Sequence, residues 1–369
     1  MELVNQTAVP ARLLVSEEGD SPVRFGMLFA KATYALQPDG RVELVSEDPF
    51  PLFDKDVETE LGLLPADLVP RRDPVLEVIL LGAAYGPEGR EIPARQVELS
   101  VGAVRRALSV TGDRRWESRL GRKTISEPMP FQRMPLTYDR AFGGRAELQL
   151  DAHTVFDVED RLNKHGRGFD GQKLAEDYAA GLGAAKGFPI VRYERLLPNL
   201  ENPAAPVARW QDAPEPYCWA AIPPDIGFRM IEALHTYCDT GQPPAREEAL
   251  RQAYHRAHPD WIIPLPPREA PVTLVGLTPA GRTSFRLPPL RIVADYVLGD
   301  RRGARDLTAQ LLVLLPEQQR FYLVYRTAFT LDPKPGAERS FRLRLERGWS
   351  TQGEAAAPAA AGTPRRETS

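Results

Sequence analysis

Apolar positions alternate with polar ones, or run together in short blocks broken by Gly and Pro, along most of the chain. That pattern predicts strands rather than helices. Ala11 to Val15 reads as a short strand, Glu17-Glu18-Gly19-Asp20-Ser21-Pro22 as a turn, and Arg24 to Leu36 as a longer strand. On it Phe29, Lys31 and Thr33 share one face, while Leu28, Ala32 and Tyr34 fall largely on the other. Lys31 is expected as a solvated outer-face charge in preference to the partner of a buried carboxylate. Gln37-Pro38-Asp39-Gly40 turns the chain into Arg41–Val45. Val75 to Ala83 is almost wholly apolar; Val97, Leu99 and Val101 alternate with Glu98 and Ser100, and Gly102-Ala103 closes a hairpin onto Val104–Val110. Val272–Leu277 with Arg282–Leu287, and Leu307–Leu315 with Phe321–Leu331, make two further hairpins, and Ser340–Glu346 an edge strand.

Helical spacing is confined to the middle. Gln172 to Leu182 is a short candidate. Ile226, Met230, Leu234, Tyr237 and Cys238 lie on one helical face, ended by Gly241 and Pro243-Pro244, and Arg246–Ala257 follows with Leu250, Ala253, Tyr254 and Ala257 on one side. The fold expected is mainly β, a β-rich α+β arrangement of two β lobes of short antiparallel strands joined by a Pro/Gly-rich loop and a short-helix middle. Along the chain this gives residues 1–145, 146–270 and 271–349, with a disordered Ala/Pro/Thr tail at 350–369.

Composition narrows the function classes. The 369 residues carry a net charge of −3, and 36 Pro with 28 Gly punctuate the chain at short intervals. So even a balance offers no general pull toward nucleic acid or an anionic membrane. No apolar run approaches the roughly 20 residues of a membrane helix, and the first residues lack the basic and apolar regions of a signal peptide, so a soluble cytoplasmic protein is expected. Two cysteines, Cys218 and Cys238, are too few for a disulfide framework.

Several clusters suggest chemistry without reaching it. Asp54, Asp56, Glu58 and Glu60 lack the glycine and spacing of an EF-hand and read as a solvated loop. His153, Asp157, Asp160 and His165 match no zinc spacing. Asn163-Lys164-His165-Gly166-Arg167-Gly168-Phe169 has neither the preceding strand nor the Lys-Ser/Thr of a phosphate loop. His235 with Cys238, and His255 with His258, stand three apart and would suit a Cys/His nucleophile or a metal, though the remaining partners are missing from any recognisable spacing. No cofactor, metal or catalytic set is therefore assigned.

The stretch Glu127 to Gly144 stands out. Pro128, Pro130 and Pro135 exclude a regular helix from its first half; Met129, Phe131, Met134, Leu136 and Phe142 are large and apolar; Arg133, Asp139 and Arg140 form a mixed charge set; and Gly143-Gly144 allows positive φ or close approach. It reads as an ordered connection pinned across a β core, with Asp139 pairing with Arg133 or Arg140.

This stretch also carries a resemblance. Phe29-Ala-Lys-Ala-Thr-Tyr34, Ala66-Asp-Leu-Val-Pro70, Gly82-Ala-Ala-Tyr85, Val110-Thr-Gly-Asp-Arg-Arg-Trp116, Pro130-Phe131 through Met-Pro-Leu-Thr-Tyr-Asp-Arg-Ala-Phe-Gly-Gly144, Gly166-Arg-Gly-Phe169, Leu197-Pro-Asn-Leu-Glu201, Arg256-Ala-His-Pro-Asp260 and Leu274-Val-Gly-Leu277 occur in the order seen in a domain-of-unknown-function family found beside type VI secretion genes. The chain resembles that family over most of its length. The usual Asn-Pro-x-Gly-x-Gly-Phe stands here as Asn-Lys-His-Gly-Arg-Gly-Phe, and residues 226–250 depart most. The resemblance implies a cytoplasmic adaptor or chaperone for an effector with a PAAR-like domain, loading it onto the VgrG spike, with no catalytic residues to carry over. A hydrolase using Asp113, Asp139 or the His/Cys set, and a structural component of the secretion particle, are the alternatives. Trp116, Phe131, Arg133, Tyr138, Asp139, Arg140, Phe142, Gly143 and Gly144 are the expected partner-binding or motif residues. Trp116, Phe131, Tyr138, Phe142 and Trp219 are expected as exposed aromatic anchors, and Asp113, Arg114, Arg133, Asp139 and Arg140 as one buried network.

Overall fold

A computed structural model describes residues 2–17, 24–69, 74–119, 122–149, 153–171, 190–193, 195–224, 255–331 and 339–346. Among the described residues strands account for 53% and helix for 5%, with no helix of seven or more residues, so the fold is mainly β. The expected helices at 172–182 and from 226 to 257 lie outside the described residues, except for 255–257, which are irregular chain and not helix.

The largest sheet joins the two ends of the chain. Its strands run in the order Ala11–Glu17, Arg24–Leu36, Arg320–Leu331, Thr308–Leu315, Val75–Leu80 and Ile262–Pro264, with Val42–Leu44 added beside the end of Arg24–Leu36. Arg24–Leu36 and Arg320–Leu331 pair antiparallel over twelve positions, from Ala35↔Arg320 to Arg24↔Leu331. The division of the chain at 145 and 271 therefore does not coincide with a division between sheets. Val75–Leu80 pairs parallel with Thr308–Leu315. A parallel strand is commonly buried on both faces, which explains the near-continuous apolar sequence of both segments.

A second sheet has the order Leu200–Glu201, Val104–Thr111, Ala94–Val101, Pro271–Val275 and Arg282–Arg286. A third has Glu2–Asn5, Arg339–Glu346, Arg291–Leu298 and Arg301–Asp306. Here Arg339–Glu346 lies inside the sheet, between Glu2–Asn5 and Arg291–Leu298. It is not the edge strand its alternation suggested, because pairing on both sides leaves no trace in a local pattern. Tyr34, Phe321 and Phe285 stack at 5.0 and 4.9 Å and tie the first sheet to the second.

Lys31 corrects the sequence reading most sharply. Arg24–Leu36 is buried on both faces over Gly26–Tyr34, and the lysine has no exposed side-chain surface. The chain from Phe50 to Asp67 covers the face that alternation had assigned to water. Lys31 Nζ lies 2.7 Å from Asp67 Oδ2, donates to the Pro51 carbonyl at 2.9 Å, and sits 3.7 and 3.9 Å from the ring centres of Phe53 and Tyr322. Asp67 Oδ2 also accepts from the Phe53 amide at 2.7 Å. Arg326, likewise buried, donates to the Asp67 carbonyl at 3.1 Å. The Phe50 amide donates to Thr33 Oγ1 at 2.9 Å. The acidic stretch is thus not a solvated loop throughout: Asp56 accepts from the Ala66 amide and pairs with Arg256 at 2.5 Å.

Burial outweighs pairing in this cluster. It lowers Lys31 to about 8 against the attraction of Asp67, raises Asp67, and lowers Arg326 to about 10. Removing one partner strands the others in a dry interior. Asp67→Ala is expected to cost about 3–5 kcal/mol of stability in urea unfolding; a loss under about 1 kcal/mol, the range of an exposed pair, would contradict the clasp. A pH trend follows as well. Between pH 8 and 10.5 the unfolded chain still holds a lysine proton that the folded protein has released. Stability therefore rises with pH across that window. Relative to Lys31→Met, the unaltered protein should gain on the order of a few kcal/mol there; a flat difference would refute the assignment.

Candidate functional site

The motif segments converge on one place. Gly143 and Gly144, with φ of 138° and 112°, carry the chain through a position where side chains do not fit. A Cβ on Gly143 would stand 2.0 Å from the Asn163 carbonyl oxygen, and one on Gly144 2.7 Å from that of Gly166. This closeness lets Phe142–Gly143 pair parallel with Arg167–Gly168. Asn163, fully buried, donates through Nδ2 to the carbonyls of Tyr138 and Phe142 at 2.8 and 2.9 Å, while its own carbonyl accepts from the Gly144 amide at 2.7 Å. Asp160 Oδ1 accepts from the amides of Leu162 and Asn163 and fixes the turn that presents it. The Gly-rich stretch 163–169 thus serves a backbone crossing rather than a phosphate.

Asn199 ties in the remaining pieces. Its amide group donates to the Thr111 carbonyl at 2.9 Å and to Asp113 Oδ1 at 3.0 Å, its Oδ1 accepts from Arg140 at 3.2 Å, and its backbone N–H donates to the Arg140 carbonyl. Arg167 reaches Asp113 at 3.3 Å and Asp139 at 3.8 Å, and donates to the Asp139 carbonyl at 3.0 Å. Asp113 and Asp139 remain about half exposed, at 47% and 55% of their side chains.

The expected charge network is only partly there. Asp139 pairs with Arg167, not with Arg133 or Arg140, and the cluster is half open to water. Arg140 lies 3.9 Å from Asp113. Arg114 pairs with buried Glu201 at 2.6 Å. Arg133 is elsewhere, gripping Glu317 with two bonds of 2.8 and 3.0 Å. The adjoining strand pairing, Arg133–Pro135 with Ala83–Tyr85, places it there.

The aromatic anchors are not on the surface. Trp116 and Phe142 pack with Leu197 and Val207 in a small cluster of their own; Phe131, Tyr138 and Trp219 belong to the main core. Trp219 meets Trp261 edge-on at 5.7 Å. Aromatics in a Pro-rich stretch carry the same sequence signature whether they face a partner or the core. Among the described residues Met129 is the most exposed large apolar side chain, at 67%, ahead of Val155, Val15, Leu265, Val4 and Val57. Its backbone is fixed, since its N–H donates to the Asp113 carbonyl at 3.0 Å and its own carbonyl lies so close to Gly112 that a Cβ there would stand 1.8 Å away.

Of the Cys and His side chains considered for catalysis, Cys218, His255 and His258 are buried. Cys218 is wholly buried, its thiol near the Leu136 carbonyl, and burial raises its pKa to about 12, so no thiolate is available near neutrality. Cys238 and His235 lie outside the described residues. His255 and His258 share no helix face, because 255–258 is irregular chain leading into a short turn at Pro259–Trp261. His255 lies 3.1 Å from buried Glu77, whose other oxygen accepts from the amides of Arg256 and Ala257. His258 Nδ1 accepts from the Asp260 amide. Among the described residues no three His, Cys, Asp or Glu side chains gather as a metal site requires, and no helix is long and apolar enough to cross a membrane.

Sequence reasoning missed Asn163, Asn199 and Arg167 as organisers, although each stands in a quoted motif; what identifies them is the set of distant carbonyls they reach. Gly143→Ala should fail to reach the native fold or lose more than about 3 kcal/mol, from positive φ and a backbone clash. Asp139→Ala, half exposed, should change stability by no more than about 1 kcal/mol. Thermal melts of both variants test this; a tolerated Gly143→Ala or a collapsing Asp139→Ala would contradict the geometry.

Neither the curated proteins nor the solved structures gave a match. A family profile described as "uncharacterized protein conserved in bacteria" matches residues 23–326. That span takes in the large sheet except for Ala11–Glu17 and the end of Arg320–Leu331, together with Lys31, Asp67 and Arg326 and the crossing built by Gly143, Asn163, Arg167 and Asn199, and the chain belongs to this family, DUF2169.

Proposed function

We propose that this protein is a non-enzymatic adaptor or chaperone that holds a type VI secretion effector bearing a PAAR-like domain in the cytoplasm and assists its loading onto the VgrG spike. The observation that carries the reading is the use made of the signature motif. Its polar side chains (Asn163, Asn199, Arg140, Arg167) hold backbone segments together, while Met129 is fixed at the backbone and bare at the side chain. A pre-organised apolar side chain among charged neighbours suits docking, since little further ordering is needed on association. Methionine adapts its shape to an apolar recess. Asp113 and Asp139 would form the polar rim that surrounds such a contact.

The gene-neighbourhood resemblance names the class of client, and a stable client complex buries about 1,600 Å² or more. Co-expression of the tagged protein with PAAR-like effectors encoded beside it, followed by size exclusion with mass determination, is expected to give a stable complex. Met129→Glu should weaken that complex about tenfold or more, a change of about 1.4 kcal/mol, while leaving the melting temperature in place. A monodisperse protein that retains none of these effectors would overturn the proposal.

A further inference from the structure

The strand Arg301–Asp306 ends the third sheet. It pairs with Arg291–Leu298 on one side, from Leu298↔Arg301 to Val293↔Asp306, and no described strand lies on its other side. Arg301, Arg302, Gly303, Ala304 and Arg305 are all exposed. The three arginines have no carboxylate partner among the described residues. Arg301 donates to the Thr330 carbonyl at 2.6 Å and Arg305 to that of Ala328, and Arg305 lies 5.0 Å from the Phe329 ring. Those carbonyls belong to the overhang of Arg320–Leu331 beyond Arg326, where its pairing with Thr308–Leu315 stops. The two guanidiniums are thus held by neutral acceptors and keep their charge uncompensated. Arg302 alternates to the opposite face and has no hydrogen-bond or ion-pair partner among the described residues. Between the edge and the overhang lies a cavity of about 230 Å³ lined by Phe25, Tyr296, Leu298 and Phe329 as well as the two arginines.

We propose that this edge captures an extended acidic segment of the client as an added strand; the assignment rests on the adaptor reading. An open edge offers main-chain hydrogen bonds in register, and pockets beside it select alternate side chains. The arginines decide the chemistry. Two copies of this edge would bring six guanidiniums together, so the charges that deter self-pairing also select a partner of opposite sign. The cavity takes one apolar side chain from the inward face of the added strand, and Arg302 meets an acidic side chain on the outward face.

The test uses the whole protein and a short capped peptide alternating Glu and Val, followed by fluorescence anisotropy and amide hydrogen exchange. Binding is expected, with protection at residues 301–306. Arg302→Glu, which removes no side-chain hydrogen bond or ion pair among the described residues, should reduce affinity about tenfold or more. Raising the salt from about 0.05 to 0.5 M should weaken binding. The same peptide N-methylated at the amides that face the edge, and its Lys/Val counterpart, should not bind. Absence of binding, equal affinity of the N-methylated peptide, protection elsewhere, or indifference to Arg302→Glu would each overturn the proposal. If the co-expressed effector complex forms and Arg302→Glu leaves it intact, the edge assignment fails and the adaptor reading survives. If the peptide binds as described but no effector is retained, the edge stands and the adaptor reading fails.

Discussion

The contact between Lys31, Asp67 and Arg326 binds three remote parts of the chain in one dry place. Lys31 lies on Arg24–Leu36, Arg326 on Arg320–Leu331, and Asp67 on the covering chain between them. Two strands separated by almost the whole sequence must find a register of twelve pairs, and a slip of one residue would turn each side chain to the other face. Hydrophobic side chains on both faces tolerate such slips poorly but do not forbid them. A buried lysine paired with the Asp67 carboxylate and a buried arginine bonded to the Asp67 main-chain carbonyl do, because another register carries Arg326 away from Asp67 and strands its charge. Specificity is achieved here at a cost in stability, visible in the lowered pKa of both cations.

A second polar device works by the same logic with neutral groups. Asn163 and Asn199 are side-chain amides that donate to the main-chain carbonyls of Tyr138, Phe142 and Thr111. Buried carbonyls demand such partners. Together with the positive-φ glycines they let Phe142–Gly143, Arg167–Gly168 and Leu200–Glu201 cross in a small volume. The result is a rigid floor on which Asp113, Asp139 and Met129 stand open to water. Asn163, Asn199, Arg140 and Arg167 hold this surface, and Asp113, Asp139 and Met129 present it.

Much of the β content could be read from the sequence. Alternation at Val97–Val101 and Val104–Val110 and the turns at Gly102 and Gly281 gave hairpins that the structure contains nearly to the residue. What could not be read was covering and closure. The face of Arg24–Leu36 that bears Lys31 has the alternation of a wet face, and only the distant chain at 50–67 makes it dry. Pairing of Arg24–Leu36 with Arg320–Leu331 is a long-range choice among apolar strands of similar composition. Asp139 found Arg167, rather than a neighbour in its own segment, because the Gly143 crossing brings residue 167 alongside. The hairpin Arg291–Leu298 with Arg301–Asp306 was not anticipated, since Arg301-Arg302-Gly303-Ala304-Arg305 lacks the apolar alternation of a half-buried strand.

The central claim is a division of labour, in which the motif holds the scaffold and other residues meet the client. It is tested by measuring melting temperature and client retention together across Asn163→Ala, Asn199→Ala, Met129→Glu and Arg302→Glu. The account predicts that the two asparagine variants lose retention only in proportion to lost stability, while the Met129 and Arg302 variants lose retention at unchanged stability. An asparagine variant that melts normally and yet releases the client would place recognition in the motif itself and contradict the account.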